Sequence, residues 1–211
     1  FRTAVYRAYD LSVSGGTETS NYYTSFSYTN DLGRSVINGF DRITGRMNFG
    51  QKIGKFIELN TNVNVSNSNQ EGFNDTRSTG SNYFLQSRNL LWGLYWPSDF
   101  ETGLPWTPRY GSYAYNPVYY NNEWENWSRT QKVFANETVT IKILPELNLR
   151  SIFSFDNTQT FDHLYYSALH FNGSSFTGSV TENSTKVIEL LSSTTLNYNK
   201  TFGGVHNVSA L

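Results

Sequence analysis

The chain has 211 residues and a formal net charge of −1, with 17% of its residues aromatic and only 16% charged. So neutral a balance gives no electrostatic case for nucleic acid or an anionic membrane surface, and the aromatic content excludes a disordered chain. There is no cysteine, which removes disulfides, thiolate metal sites and cysteine nucleophiles.

No apolar run approaches the roughly 18 residues of a membrane helix. What recurs instead is a period of two, the signature of strands with unlike faces. Tyr9, Leu11 and Val13 alternate with Asp10, Ser12 and Ser14. NYYTSFSYTN (21–30) reads as a strand by its aromatic and β-branched content, with both faces partly polar. Ile43, Met47 and Phe49 alternate with Thr44, Arg46 and Asn48. In IELNTNVNVSNSN (57–69), Ile57, Leu59, Thr61, Val63 and Val65 share one face, while Glu58, Asn60, Asn62, Asn64 and Ser66 share the other. After a long interval, Val133, Ala135, Val139, Ile141 and Ile143 alternate with Asn136, Thr138, Thr140 and Lys142. Leu147, Leu149, Phe153 and Phe155 then alternate with Asn148, Arg150, Ser154 and Asp156, and Ile188, Leu190, Leu196 and Tyr198 with Glu189, Ser193, Thr195 and Asn197. VHNVSAL (205–211) begins another strand. Glu137, Ile152 and Leu191 break the pattern. The expectation is an all-β chain of about eight strands without a regular repeat.

The connections alternate in length. TETS (17–20), QKIGK (51–55), LPELN (144–148) and TFGGVH (201–206) are short, whereas 30–41, 70–130 and 168–183 are long. An up-and-down meander then collects the short turns at one end and the long loops at the other. Outer-membrane barrels have this asymmetry, with short periplasmic turns and long external loops. A barrel also explains the faces, because its outside meets lipid and its lumen is wet and polar. No proline interrupts a strand: Pro97, Pro105, Pro108 and Pro117 fall in the longest loop and Pro145 in a short turn. That spares the backbone an unpaired carbonyl in lipid. The expectation is therefore part of a large antiparallel transmembrane β-barrel with long external loops. The competing reading is a soluble or surface β-domain, binding glycans, with one wet face.

Two runs carry a resemblance. LSVSGGTETSNYYTSFSYTNDLG (11–33), followed by GFDRITGRMNFGQKIGKFIELNTNVNVSNSN (39–69), resembles the early barrel of SusC/RagA-type TonB-dependent outer-membrane transporters. The elements that match are the LSVSGG strand, a Tyr-rich strand, then Arg42, Arg46, Asn48, Lys52, Lys55 and Phe56 in order. The resemblance implies that residues 1–211 are one barrel segment, just after a plug domain that is not among them, of a longer protein. It implies import of a large nutrient, an oligosaccharide or oligopeptide, powered by TonB through the plug. It also implies a SusD-like surface lipoprotein as partner. A receptor for siderophores or cobalamin is the alternative within the TonB-dependent class.

Specificity is expected in the loop at 70–130. All five tryptophans lie between residues 92 and 127, and seven of the fifteen tyrosines between 83 and 120. Residues 82–96 read as a short helix stopped by Pro97. Apolar sugar faces stack on such rings, so the candidate substrate- or partner-binding residues are Trp92, Trp96, Trp106, Arg109, Tyr110, Tyr113, Tyr115, Trp124 and Trp127. Packing of the loop on itself is the plainer role for any single ring. His163, His170 and His206 lack metal-ligand spacing and read as loop or strand-end residues. GSSFTG (173–178) is neither a nucleophile elbow nor a phosphate loop. No enzymatic constellation, metal site or cofactor motif is expected.

Overall fold

The computed structural model describes residues 2–72, 101–102, 109–110, 114–115, 122–170 and 172–211. The strands are β1 (Val5–Gly16), β2 (Ser20–Leu32), β3 (Gly39–Ile53), β4 (Ile57–Glu71), β5 (Arg109–Tyr110), β6 (Ala114–Tyr115), β7 (Trp124–Leu144), β8 (Leu147–Tyr166), β9 (Ser179–Phe202) and β10 (His206–Ala210). Eight of them form one antiparallel sheet in the order β1-β2-β3-β4-β7-β8-β9-β10, and β5 pairs only with β6. The fold is all-β, as the alternation predicts, and the sheet does not close on itself among the described residues.

The register brings the apolar sets of every strand onto a single face. One row runs Leu11, Phe26, Gly45, Val65, Val133, Asn157, Ile188, and the next Val13, Thr24, Met47, Val63, Ala135, Phe155, Leu190. On the opposite face a row runs Ser14, Tyr23, Asn48, Asn62, Asn136, Ser154, Leu191. Amides and hydroxyls there bond across strands, as Asn136 Nδ2 donates to Ser154 Oγ at 2.6 Å. A slip of one residue in any pairing would exchange the two faces of that strand. Ile152 and Leu191 do sit on the polar face, and Glu137 sits on the apolar one.

The sheet has no hydrophobic core of its own. Among the described residues the only apolar side chain classed as buried is Tyr166, while Leu11 (68%), Phe153 (51%) and Leu190 (78%) stand open. A β-sandwich would cover this face with a second sheet; the only other sheet among the described residues is the two-residue pairing of β5 with β6.

Short turns at 17–19, 54–56, 145–146 and 203–205 lie at one end, and the connections after β2, β4 and β8 lie at the other. The β9–β10 turn is made by Gly203 and Gly204 at φ of 60° and 70°, the left-handed pair that a tight hairpin requires. In the β7–β8 turn the Lys200 ammonium donates to Glu146 Oε1 at 2.7 Å, and this bond holds the Glu146 carboxyl below its usual range. Two long loops prove shorter than their sequence boundaries: 30–41 contracts to 33–38, and 168–183 to 167–178. The strands simply continue past their last apolar residue.

Candidate functional site

That continuation defines the site. β7, β8 and β9 contain 21, 20 and 24 residues, about twice the roughly 9–11 that a tilted strand needs to cross a bilayer. Their apolar alternation occupies only the half nearest the short turns, ending at Val133, Phe155 and Ile188. The other half, 124–132, 157–166 and 179–187, extends towards the long loops with both faces wet. Its tip is aromatic.

Trp124 and Trp127 are three residues apart within β7, so they project from opposite faces. Trp124 shares the polar face with Asn136 and stacks on its cross-strand partner Tyr166 at 6.4 Å. The Tyr166 ring in turn meets His170 at 4.5 Å. Trp127 lies on the apolar-face side, stacked on His163 at 4.8 Å and tilted against Phe161 at 5.7 Å. The Arg129 guanidinium sits 4.2 Å above the Trp127 ring, and His163 Nδ1 is 3.1 Å from Glu182 Oε1. The two tryptophans therefore stack with partners on opposite faces of the sheet.

The 167–178 loop locks the inner stack in place. The Ser167 hydroxyl donates to the Glu123 carboxylate, and the Ser167 amide donates to the Glu123 carbonyl at 2.8 Å. His170 is 4% exposed. Its Nδ1 accepts from the Asn172 amide at 3.0 Å, and burial lowers its pKa to about 4. Gly173 and Ser174 amides both donate to the His170 carbonyl at 2.9 Å. A Cβ at Gly173 would stand 2.1 Å from the Ser167 carbonyl oxygen, so only glycine fits.

Between the tip of the 33–38 loop and the start of β7 lies a cavity of about 290 Å³, lined by Ile37, Glu71, Trp124, Glu125, Asn126 and Trp127. Indole faces and two carboxylates can stack a flat group and accept hydrogen bonds from it.

Of the expected binding residues, Trp124 and Trp127 are thus at the strand tips rather than in a loop. Arg109 and Tyr110 pair with Tyr115 and Ala114 in the β5–β6 hairpin. Trp92, Trp96, Trp106 and Tyr113, with the expected helix at 82–96, lie outside the described residues. Tyr166, His170 and Glu123 were not foreseen. Their role depends on the β7–β8 register, which no local pattern reveals.

The solved structures that resemble the chain include three of one peptide transporter. The "RagAB peptide transporter" superposes at a TM-score of 0.76 with 20% identity, covering 99% of this chain and 24% of that one. The "RagAB peptide importer in the 'closed-closed' state" gives 0.75 at 20% identity, covering 96% and 23%. The 'open-open' state gives 0.72 at 19%, covering 95% and 22%. No protein-family model and no curated sequence matches the chain. At these identities the likeness establishes fold alone: this chain spans about a quarter of the length of those transporter chains and has the same strand architecture over that stretch.

Proposed function

We propose that the chain is a wall segment of an outer-membrane β-barrel importer, with its apolar face to lipid, its polar face to the lumen and its long loops external. The observation that carries this reading is the division of β7, β8 and β9 into an apolar-faced half and a wet, aromatic-tipped half. The first half is the length of a membrane crossing. The second half is a wall around an external vestibule. The substrate is an oligopeptide rather than an oligosaccharide, a preference supported by the peptide transporters that share the fold. TonB supplies the energy through a plug outside these residues, and a SusD-like lipoprotein covers the mouth; both follow from the SusC/RagA resemblance of residues 11–69.

The test is deletion of residues 97–120 from the full-length transporter. Barrel assembly, read by heat-dependent gel mobility in purified outer membranes, is expected to be normal. Uptake of a labelled oligopeptide is expected to fall by roughly tenfold, the effect of losing about 1.4 kcal/mol of binding. Normal uptake by the assembled deletion variant would contradict a role for the loop.

A further inference from the structure

The rim between β4 and β7 is acidic where it is hollow. The cavity of about 290 Å³ has Glu71 and Glu125 in its lining and no lysine or arginine. A second cavity, of about 400 Å³, shares Glu71 and adds Asp31, Asn38 and Gln70, again without a cation. Both touch the 33–38 loop, the first at Ile37 and the second at Gly33 and Asn38. Asp31, Glu71 and Glu125 are all exposed. Glu71 Oε1 accepts a long hydrogen bond from Asn69 Nδ2, at 3.3 Å.

The arginines nearby are committed elsewhere. Arg129 sits over the Trp127 ring. The Arg2 guanidinium donates to the carbonyl oxygens of Gly33 and Asn38, at 2.9 and 2.7 Å. Arg34, exposed on the loop, lines neither cavity. Both hollows therefore keep a negative lining. An anionic occupant would be repelled by it, and a neutral one would strip water from the carboxylates without returning a charge. A cation pairs with them through charge-assisted hydrogen bonds. It also packs against Trp124 in the wall of the first cavity, where an indole attracts positive charge.

We propose that the first cavity is a subsite for a cationic group of the oligopeptide substrate, a lysine or arginine side chain or a free N-terminus. The proposal deepens the oligopeptide reading above and rests on it. The size fits, since about 290 Å³ is just under the roughly 300 Å³ at which small-molecule pockets begin, room for one residue of a longer chain. The second cavity takes the backbone that adjoins the cation. Asn38 and Gln70 there carry primary amides, which both donate and accept, matching the N–H and C=O that every peptide unit presents. Glu71, common to both cavities, stands where the two parts of a bound residue meet. Such a site selects peptides by charge and leaves the rest of their sequence free.

Binding of synthetic oligopeptides to the purified full-length transporter, read by fluorescence anisotropy, tests this. All carry a fluorophore at the C-terminus. Three are acetylated at the N-terminus and differ only in one central residue: arginine, its neutral isostere citrulline, or glutamate. The fourth is the citrulline peptide with a free N-terminal ammonium. The arginine peptide is expected to bind roughly tenfold more tightly than its acetylated citrulline counterpart, equivalent to about 1.4 kcal/mol, and the glutamate peptide most weakly. Tight binding of the fourth peptide assigns the subsite to any peptide cation, and weak binding assigns it to side chains alone. In the Glu71→Gln/Glu125→Gln double variant the preference for arginine over citrulline should disappear. Glu58→Gln, at the other end of β4, should keep it. Equal binding of the arginine and citrulline peptides by the wild type, or a preference unmoved by the double variant, overturns the subsite. Binding of none of the peptides by correctly assembled protein overturns the oligopeptide reading and the subsite with it.

Discussion

Met47→Arg should destabilise the assembled barrel by about 2–4 kcal/mol, the cost of a cation on the lipid face near mid-membrane. Met47 is central to the apolar face, flanked in its row by Thr24 and Val63 and followed outward by Ala135, Phe155 and Leu190. An arginine there has no carboxylate opposite or diagonal to it on either adjacent strand and must reach for the interface. Val63→Arg is chemically the same change, but the expected loss is smaller. Val63 is opposite Ala135, which places Glu137 on the diagonal, within reach of a long side chain. The pair is measured by equilibrium unfolding in urea of the full-length protein reconstituted in lipid vesicles. Losses below about 0.5 kcal/mol at Met47, the range of an ordinary surface substitution, would contradict the lipid assignment. A solvent-exposed face would tolerate arginine at both positions alike.

Acidification should loosen the 167–178 loop. The His170 imidazole is held neutral by burial, with a pKa of about 4 in the folded loop against about 6.5 when the loop opens. The folded pKa is the lower one, so the opened loop takes up a proton first. The stabilisation is fully present above about pH 6.5, declines as pH falls, and is spent by about pH 4. At pH 5 the loss is about 2 kcal/mol. Hydrogen exchange at Gly173 and Ser174, whose amides donate to the His170 carbonyl, should show it as reduced protection at pH 5 relative to pH 7, after correction for intrinsic rates. His170→Phe keeps an aromatic ring against Tyr166 and removes the titrating group, so its protection should not change with pH. Equal protection of the wild-type loop at both pH values would contradict the assignment.

Legibility in the sequence follows the environment of each strand. β4 and the lower halves of β7, β8 and β9 alternate cleanly because one face must be apolar and the other polar, and their register follows from that demand. The upper halves lose the signal. Residues such as Asn69, Thr130 and Thr160 have water on both sides, so alternation stops while pairing continues, and the sequence reading ended its strands too early. The tryptophan cluster was grouped by proximity along the chain, as is natural for a loop. Once Trp124 and Trp127 lie in a strand, their odd spacing divides them between faces. Tyr166 and His170 join Trp124 only through a pairing of residues over forty positions apart, which composition does not encode. Glu137 was visible as an interruption, but that it interrupts a contiguous apolar face emerges only from the register.

Cysteine scanning along β4 and β7 tests the membrane-wall account most directly. Single cysteines at Leu59, Val63, Val65, Val139 and Ile141, and at Asn60, Asn62, Asn64 and Thr140, are treated with a membrane-impermeant maleimide in outer membranes carrying the full-length transporter. The account predicts labelling with a period of two: the Asn60, Asn62, Asn64 and Thr140 positions react from the aqueous lumen, and the Leu, Val and Ile positions stay unlabelled in lipid. Preferential labelling of the Leu, Val and Ile set, or labelling of both sets alike, would contradict it.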